Sequence, residues 1–380
     1  MKLLTYQYQD KAPAEWKLSR IKLHDINLIG GLSAVGKTRL LNTIFNLSLI
    51  IQKKQTMFPG CWTIDFQVKG NKYNYVLHVE KDTATKKIIV SKEILTEKNR
   101  QLINRTKRTF TFLGKKLPSL SKEDIGLYLL REDKRVGDIY NEFKKIYIRR
   151  LNPFPLGRLE EGPLLGGIPQ ELLEKPAEEF TLEYIQDNFK DVNTQLLLLK
   201  MHHPAIYNKL FNDFKRIFPF VEEMDIKPAK QVKQLTIKMN IPLDIVIPIL
   251  VIRERGVKEE IPIMSMSSGM LRCIIQLVDI YTMPDNSIYL IDELENSMGV
   301  KALPEMTEIL LGRANNIQLI FTSHLPYIFN NVHIRYWTVL TRKGSRVKVT
   351  SGETLDKQFA KSHQDAYTQF INSELIEAGI

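Results

Sequence analysis

Apolar residues near the start of the chain first follow the spacing of a strand and then that of a helix. The run Ile26–Ile29 is short and mostly apolar, which is typical of a buried strand. From Arg39 to Leu49 apolar side chains recur at helical spacing. Residues 62–80 alternate around a Lys-Gly-Asn-Lys turn and predict a β-hairpin, with two more strands predicted at Lys87–Val90 and Ile94–Leu95. The pattern predicts a strand, a helix and an antiparallel sheet.

The last third of the chain alternates helices and strands, which is the pattern of an α/β fold. The predicted elements are a helix at Leu271–Tyr281, a strand at Ile288–Ile291, a helix at Leu303–Leu311, a strand at Ile317–Thr322, a hairpin of Tyr336–Leu340 and Val347–Thr350, and a closing polar helix.

The middle of the chain is predicted to be mainly helical. Helical patterns cover 121–150 and 178–217, and the basic segment 143–150 is interpreted as an amphipathic helix face. A Pro- and Gly-rich loop separates them at 151–170, and strands are predicted at Val232–Met239 and Ile245–Ile252. We therefore predict three lobes: an N-terminal lobe at 1–120, a mainly helical insertion at 121–260, and a C-terminal lobe at 261–380.

Residues Gly31 to Thr38 read G-L-S-A-V-G-K-T and match the phosphate-binding pattern G-x-x-x-x-G-K-[ST] in full. The motif lies between a predicted strand and a predicted helix. In that context the backbone N–H groups of a tight loop point inward at a helix start and hold polyphosphate. Lys37 is expected to reach the terminal phosphates, and the Thr38 hydroxyl is expected to ligate magnesium. We call residues 31–38 the P-loop.

Three further motifs follow in the last third. Asp292 and Glu293 end a buried strand, where Asp292 is expected to support magnesium and Glu293 to accept a proton from the attacking water. Ser265–Met270 opens a helix, either as a plain helix cap or as an anion site. His324 follows the next strand and fits a γ-phosphate sensor.

Composition and charge narrow the class of protein. The 380 residues are 43% hydrophobic and 26% charged, which is ordinary for a soluble globular protein. The two cysteines have no disulfide or metal-ligand spacing, and no signal peptide or membrane span is visible, so a cytoplasmic protein is expected. Residues 1–120 hold 22 Lys and Arg against 8 Asp and Glu, which indicates an anionic partner, nucleic acid included, or a solvated basic surface.

The four motifs, in this order, resemble the ATPase head of the ABC superfamily. The words S-S-G-M-L-R at 267–272, D-E-L-E-N-S-M-G at 292–299 and T-S-H-L-P at 322–326 are similar to those of soluble prokaryotic SMC-like and OLD-like AAA ATPases. That group includes the ATPase parts of the phage-defence systems Septu and PARIS. The resemblance implies an α/β P-loop NTPase fold: an ABC-type head with an antiparallel β subdomain and a helical insertion.

The resemblance also implies a role for each motif residue, with ATP as substrate and Mg²⁺ as cofactor. Glu293 is the implied catalytic carboxylate and His324 the switch histidine, and Thr38 and Asp292 are the implied Mg²⁺ ligands. The implied nucleotide-binding residues are Gly31, Ser33, Ala34, Val35, Gly36, Lys37, Thr38 and Arg39, together with Ser267, Ser268 and Gly269 contacting the γ-phosphate bound on another copy.

The resemblance further implies that two copies form a head-to-tail dimer with ATP sandwiched between them. The expected function is an ATPase that regulates or scaffolds a separate effector, such as a nuclease or toxin, in antiviral defence, because no motif set for a nuclease is visible in this chain. Two alternatives stay open. One is a DNA-repair or chromosome-associated SMC-like ATPase that acts on DNA, and the other is a nucleotide-gated scaffold with little turnover.

Overall fold

A computed structural model describes six stretches of the chain: residues 1–11, 15–118, 121–149, 166–232, 244–299 and 301–359. Its strands are β1 (Lys2–Asp10), β2 (Lys17–Lys22), β3 (Ile26–Gly30), β4 (Gly60–Val68), β5 (Asn71–Lys81), β6 (Ile88–Glu97), β7 (Arg100–Thr106), β8 (Phe110–Phe112), β9 (Lys115–Lys116), β10 (Ile146–Arg149), β11 (Ile168–Pro169), β12 (Val221–Pro228), β13 (Ile245–Val246), β14 (Pro248–Glu254), β15 (Ile261–Pro262), β16 (Ile288–Ile291), β17 (Gln318–Thr322), β18 (Trp337–Lys343) and β19 (Arg346–Ser351). Its α-helices are α1 (Lys37–Ile51), α2 (Gly126–Leu129), α3 (Lys134–Lys144), α4 (Gln170–Leu173), α5 (Leu182–Asn188), α6 (Val192–His202), α7 (Pro204–Ile217), α8 (Ser268–Thr282), α9 (Ala302–Arg313), α10 (Pro326–Asn331) and α11 (Gly352–Phe359).

The chain divides into two compact units. The first unit comprises Met1–Arg150, Asn286–Leu294 and Ala314–Ile380, and the second comprises Leu151–Asp285 and Glu295–Arg313. The P-loop, the Asp292–Glu293 pair and His324 therefore belong to the first unit, and Ser267–Gly269 belongs to the second. The division into lobes at 1–120, 121–260 and 261–380 stays a prediction.

Five parallel strands of the first unit position the predicted motifs. They lie in the order β10–β16–β17–β3–β18, and every neighbouring pair among them is parallel. The carboxyl ends of parallel strands meet at one edge of a sheet, which is where open α/β sheets bind their ligands. The P-loop follows β3, Asp292 follows β16 and His324 follows β17. The topology thus brings three distant segments to one edge.

The same sheet continues into the predicted antiparallel part through β19 and β2, which pair in parallel. Beyond β18 the strand order is β19–β2–β1–β4–β5–β6–β7–β8–β9. The hairpin predicted at 62–80 is confirmed as β4 and β5, which join at Lys69–Gly70. Alternate residues of these strands, such as Trp62, Phe66 and Tyr75, are buried in a core that also contains the apolar face of α1. One buried face and one open face explain the alternation in the sequence.

The interpretation of residues 143–150 as an amphipathic helix face is wrong. Helix α3 ends at Lys144, and Ile146–Arg149 form β10, which pairs in parallel with β16. Ile146 lies in the core beside α1, and Ile148 packs against that core, so the alternation belongs to a strand of only four residues. Main-chain pairing with a fully buried strand outweighs the local helical tendency of this short segment.

The second unit combines helices with two small sheets. The helical pattern at 178–217 is confirmed as α5, α6 and α7, and the helix predicted at Leu271–Tyr281 is confirmed as α8. An antiparallel sheet of order β12–β14–β15 and the pair β11–β13 complete this unit, and β12 has no counterpart in the predictions. Most of the loop predicted at 151–170 and of the strand predicted at Val232–Met239 lies outside the described residues.

In the part of the chain that the structure describes, no helix is both long enough and apolar enough to cross a membrane.

A buried carboxylate joins the antiparallel sheet to α2. Glu93, on β6, is fully buried and accepts hydrogen bonds from the backbone N–H groups of Gly126 (2.6 Å) and Leu127 (2.9 Å). The Tyr75 hydroxyl donates to it at 3.0 Å, and an Arg105 guanidinium nitrogen lies 4.0 Å away. Burial raises the pKa of the Glu93 carboxyl, while these donors oppose that shift. Glu93 therefore holds the first turn of α2 against the sheet.

We predict that Glu93→Ala lowers the free energy of unfolding by about 3–5 kcal/mol, because it leaves three buried donors without their acceptor and removes the carboxylate next to the buried Arg105 guanidinium. Urea unfolding measures the change. The control is Glu97→Ala on the same strand, which removes only a part-buried hydrogen bond from Tyr73 and is expected to cost no more than about 1 kcal/mol. Equal small losses in both variants would contradict this role of Glu93.

Candidate nucleotide site

The P-loop leaves the start of α1 free of side-chain caps. Helix α1 begins at Lys37, and the residue before it, Gly36, has a φ of 106° and makes no side-chain cap hydrogen bond. Ala34 and Gly31 also have positive φ values, 63° and 134°. The first backbone N–H groups of a helix have no acceptor within it, and the helix dipole places partial positive charge there. This geometry suits a polyphosphate.

Two close contacts explain why the loop requires glycine at its ends. A Cβ atom added at Gly31 would lie 2.4 Å from the Leu340 carbonyl oxygen on β18. A Cβ atom at Gly36 would lie 2.9 Å from the buried ring of Trp16. Both positions also have backbone angles that side chains disfavour. Packing from β18 and from Trp16 therefore holds the shape of the loop.

Lys37 reaches back over the P-loop. Its side chain is almost fully buried, with 6% of the residue exposed. The ammonium group donates to the carbonyl oxygens of Gly31 and Leu32, both at 2.9 Å, and lies 3.4 Å from Nδ1 of His324. The cation is therefore held inside the curve of the loop, where a terminal phosphate would meet it.

Asp292 receives two hydroxyl groups on one carboxylate oxygen. Thr38 Oγ1 donates to Asp292 Oδ1 at 3.1 Å, and Thr322 Oγ1 donates to the same oxygen at 2.9 Å. The Thr322 oxygen in turn accepts the backbone N–H of Glu293 at 2.7 Å. Asp292 is 7% exposed and Thr322 is fully buried. The hydroxyl of Thr322 therefore connects β17 to the turn after β16.

Glu293 has a strained backbone and lies beside His324. Its φ is 47°, a left-handed conformation that non-glycine residues rarely adopt and that occurs often at functional sites. Nε2 of His324 lies 3.7 Å from Oε1 of Glu293. The imidazole ring therefore stands between the ammonium group of Lys37 and the carboxylate of Glu293. Both side chains of this Glu–His pair are more than a third exposed and accessible to water.

The oxygen atoms of Thr38 and Asp292 fit a magnesium ion. Magnesium prefers oxygen ligands, usually one or two protein groups completed by phosphate oxygens and water. The hydroxyl and the carboxylate lie 3.1 Å apart at the end of the P-loop and so form such a pair. Throughout the described ranges, no group of three or more His, Cys, Asp or Glu residues is placed to hold a metal. A cation between these two residues therefore needs further oxygens from a nucleotide or water.

The signature-like loop, residues 267–269, begins α8 in the second unit. The Ser267 hydroxyl accepts the Met270 N–H at 3.3 Å, so Ser267 caps this helix. A Cβ atom at Gly269 would lie 2.9 Å from the Ser297 carbonyl oxygen, which explains the glycine. Ser267 and Ser268 are exposed at the start of a 15-residue helix. Their contact with a γ-phosphate stays a prediction.

The other residues of the P-loop and α1 that are predicted to bind the nucleotide differ in their exposure and in their contacts. Ser33 and Ala34 are exposed at the tip of the P-loop, and Val35 is buried beneath it beside Gly31. Arg39 forms an ion pair with Asp10. Its guanidinium lies 4.9 Å from the centre of the Trp16 ring, so Arg39 covers the residue that supports Gly36.

Sequence reasoning did not assign two residues that the structure places at this edge. Thr322 ends a predicted strand and begins T-S-H-L-P at 322–326, and neither pattern indicates that its hydroxyl joins Asp292 to Glu293. Arg149 ends β10, and its carbonyl oxygen accepts the Asp292 N–H at 3.1 Å. Arg149 lies in a strand of only four residues, which is too short for its alternation to indicate the pairing with β16.

Known structures with similarity to this chain include three SMC head domains. The first is the SmcHead bound to the C-winged helix domain of ScpA, with 12% identity, a TM-score of 0.49, and 92% of this chain and 97% of that chain covered. An SMC head domain from Thermotoga maritima has 12% identity, a TM-score of 0.41 and coverage of 92% and 99%. A head with an extended coiled coil bound to the C-terminal domain of ScpA, derived from Pyrococcus furiosus, has 11% identity, a TM-score of 0.47 and coverage of 95% and 99%.

No curated protein matches the sequence. A protein-family model does match it, over residues 26–330, which is far more than half of the chain. The matched range starts at β3, directly before the P-loop, and ends within α10, after His324. It therefore includes the P-loop, residues 267–269, Asp292, Glu293 and His324. The chain belongs to the family described as "AAA domain, putative AbiEii toxin, Type IV TA system".

Proposed function

We propose that this protein binds ATP on the P-loop and hydrolyses it. The observation that carries the proposal is the convergence of Lys37, Thr38, Asp292, Glu293 and His324 at one edge of the parallel sheet. Phosphoryl transfer to water uses a cation on the phosphates, oxygen ligands for Mg²⁺ and a group that orients or deprotonates the water, and these residues can supply each of them. Membership of an AAA-domain family supports a nucleotide as the ligand.

The chain's own groups have distinct tasks in this proposal. The backbone N–H groups at the start of α1 and the ammonium of Lys37 bind and orient the triphosphate. Thr38 and Asp292 would hold Mg²⁺, which neutralises phosphate charge when it is bound. Glu293 accepts a proton from the attacking water, and its strained turn, fixed by Thr322, aims the carboxylate. His324 orients that carboxylate and lies next to Lys37.

We further propose that two copies close head to tail over two ATP molecules. The supporting observation is the exposed start of α8, where Ser267 and Ser268 lie at a helix N-terminus that suits an anion. The resemblance to ABC-type heads implies that this loop meets the γ-phosphate bound on the other copy. The site on one copy is then complete only when the second copy supplies its residues 267–269.

In the cell, the proposed role is to control a separate effector, such as a nuclease or toxin, in antiviral defence. The family description names an AAA domain as a putative toxin of a type IV TA system, which supports a role in such a system. ATP-dependent closure supplies two states that an effector can distinguish. A nucleotide-gated scaffold with little turnover is the variant of this proposal in which binding alone performs the control.

DNA binding is a second candidate function, and the charge distribution favours it. Residues 1–120 carry a strong excess of Lys and Arg, and the edge strand β9 consists of two exposed lysines. We predict that, if DNA is a partner, duplex DNA accelerates ATP turnover in 50 mM salt and loses this effect in 200 mM salt, because phosphate contacts release counterions. If DNA leaves ATP turnover unchanged at both salt concentrations, DNA binding is contradicted. The two lysines of β9 then serve only to protect a sheet edge.

We predict that Lys37→Ala lowers ATP affinity by about 10- to 100-fold, because a charge-assisted hydrogen bond to phosphate contributes about 1.5–3 kcal/mol. Titration with a fluorescent ATP analogue measures the dissociation constant. Lys54→Ala, an exposed lysine shortly after α1, is the matched control and is expected to bind normally. Unchanged affinity in Lys37→Ala would refute the P-loop as the nucleotide site.

We predict that Glu293→Gln reduces the rate of ATP hydrolysis by about 100- to 10,000-fold and leaves ATP affinity intact, because only the proton acceptor is removed. Phosphate release under saturating ATP measures the rate. Glu308→Gln, an exposed position on α9, serves as the control.

The same variant tests the dimer. Trapped ATP is expected to convert the Glu293→Gln protein from monomer to dimer in light-scattering chromatography. Wild-type turnover that is negligible and unchanged in Glu293→Gln would select the scaffold without catalysis.

A further inference from the structure

The order of the strands gives a bound triphosphate a direction along the edge of the sheet. Asp292 and His324 follow β16 and β17, which lie on one side of β3, and His324 lies 3.4 Å from the Lys37 ammonium. In the proposed function these groups meet the γ-phosphate. The strands β18, β19, β2 and β1 lie on the other side of β3, in that order. The nucleoside is the opposite end of the ligand, so it is expected on this second side.

Two chain segments reach the same edge on that side. Because β18 is parallel to β3, β19 is antiparallel to β18 and β2 is parallel to β19, β2 starts at the edge where β3 ends. Its antiparallel neighbour β1 therefore ends there. Trp16 directly precedes β2 and Asp10 ends β1, and the Asp10 N–H donates to the Trp16 carbonyl oxygen at 2.8 Å.

Arg39, in the first turn of α1, is held by both of these residues. Its guanidinium forms an ion pair with Asp10 and lies 4.9 Å from the centre of the Trp16 ring. The Asp10 carboxylate is itself fixed by the Tyr8 hydroxyl, which donates to it at 2.6 Å. The Arg39 side chain is 42% exposed, whereas Trp16 is only 1% exposed. The guanidinium therefore rests on an aromatic ring and stays open to a ligand on its other side.

Trp16 lies against the P-loop as well as against Arg39. Its Cζ2 and Nε1 atoms lie 2.9 and 3.2 Å from the position that a Cβ atom of Gly36 would occupy. Nε1 is buried and has no hydrogen-bond partner among the residues that the structure describes. A buried indole N–H usually has an acceptor. An acceptor oxygen that arrives with a ligand at the start of α1 would satisfy this donor.

We propose that the open side of the Arg39 guanidinium, supported by Trp16, is the stacking platform for the nucleobase. The inference rests on the proposed binding of a nucleoside triphosphate at the P-loop, and it names how the base of that ligand is recognised. A guanidinium is planar and cationic, and it attracts the face of an aromatic ring. Its ion pair with Asp10 and its contact with Trp16 hold this plane in place before the base arrives.

Stacking determines which ligands the platform accepts. It recognises the face of a base rather than the hydrogen-bonding groups at its edge, and every base has such a face. A purine offers a larger face than a pyrimidine. The substrates are then purine nucleoside triphosphates as a class, with ATP among them and little discrimination between adenine and guanine.

The first test compares ATP with inorganic tripolyphosphate, which has the phosphates and no base. Arg39→Lys keeps the positive charge but removes the planar group. It is expected to raise the dissociation constant for ATP about 5- to 20-fold and to change that for tripolyphosphate by less than about twofold. Calorimetric titration with Mg²⁺ in the Glu293→Gln background, which is expected to spare the ATP, measures both constants.

Arg20→Lys is the matched control for this comparison. Arg20 also forms an ion pair with an aspartate, Asp65, and its side chain is 54% exposed. It lies on β2, and the Arg20–Asp65 pair joins β2 to β4 rather than to the P-loop. Both dissociation constants are expected to stay unchanged in this variant.

The second test varies the base in the same titration. GTP is expected to bind within about fivefold of ATP, and UTP is expected to bind at least about fivefold more weakly than ATP, because its face is smaller. The preference for ATP over UTP is expected to shrink in Arg39→Lys and to persist in Arg20→Lys. A preference between ATP and GTP above about a hundredfold would contradict stacking as the basis of recognition.

The outcomes separate this inference from the proposed function. Equal losses of ATP and tripolyphosphate affinity in Arg39→Lys overturn the inference, because Arg39 then acts on the phosphates or on the shape of the loop. Unchanged ATP affinity in Arg39→Lys also overturns it, and both results leave the P-loop as the nucleotide site. If Lys37→Ala weakens neither ATP nor tripolyphosphate, the proposed function fails, and the platform fails with it.

Discussion

The candidate site depends on the parallel pairing of β16, β17 and β3. Main-chain hydrogen bonds along these three strands set the register in which Asp292, Thr322 and the P-loop end at one edge. Thr38 and Asp292 are far apart in the sequence, yet their side chains lie 3.1 Å apart because the strands fix both ends. If these strands paired in another register, the side chains of the separate motifs would not lie at one edge and would not form a site.

Strain and close packing maintain the site within that frame. Glu293 adopts a left-handed backbone conformation, and the hydroxyl of Thr322 holds the turn by accepting its N–H. Gly36 adopts another positive φ against the ring of Trp16. The left-handed conformation of Glu293 costs of order 1–3 kcal/mol and persists because the surroundings enforce it, whereas a glycine such as Gly36 adopts a positive φ without that cost. The P-loop and the Glu293 turn are therefore preformed, and this would reduce the reorganisation needed in the proposed binding of a triphosphate.

The elements that show a residue pattern within one segment could be predicted from the sequence. The elements and contacts that depend on pairing between distant segments could not. The P-loop, the buried strand before Asp292 and the strand before His324 have short-range patterns, and the structure confirms these elements. The segment Ile146–Arg149 is too short for its period to be read, and its pairing with β16 decides its conformation. The role of Thr322 depends on a contact with Asp292 across two strands, which no pattern within either strand reveals.

The central claim is that a triphosphate binds in the P-loop and is enclosed by the signature-like loop of a second copy. The most direct measurement is an experimental structure of the Glu293→Gln protein with ATP and Mg²⁺. The account predicts a two-fold dimer with the γ-phosphate contacted by Lys37 of one copy and by residues 267–269 of the other. A triphosphate bound away from Lys37, or one whose γ-phosphate meets no residue of a second copy, would contradict it.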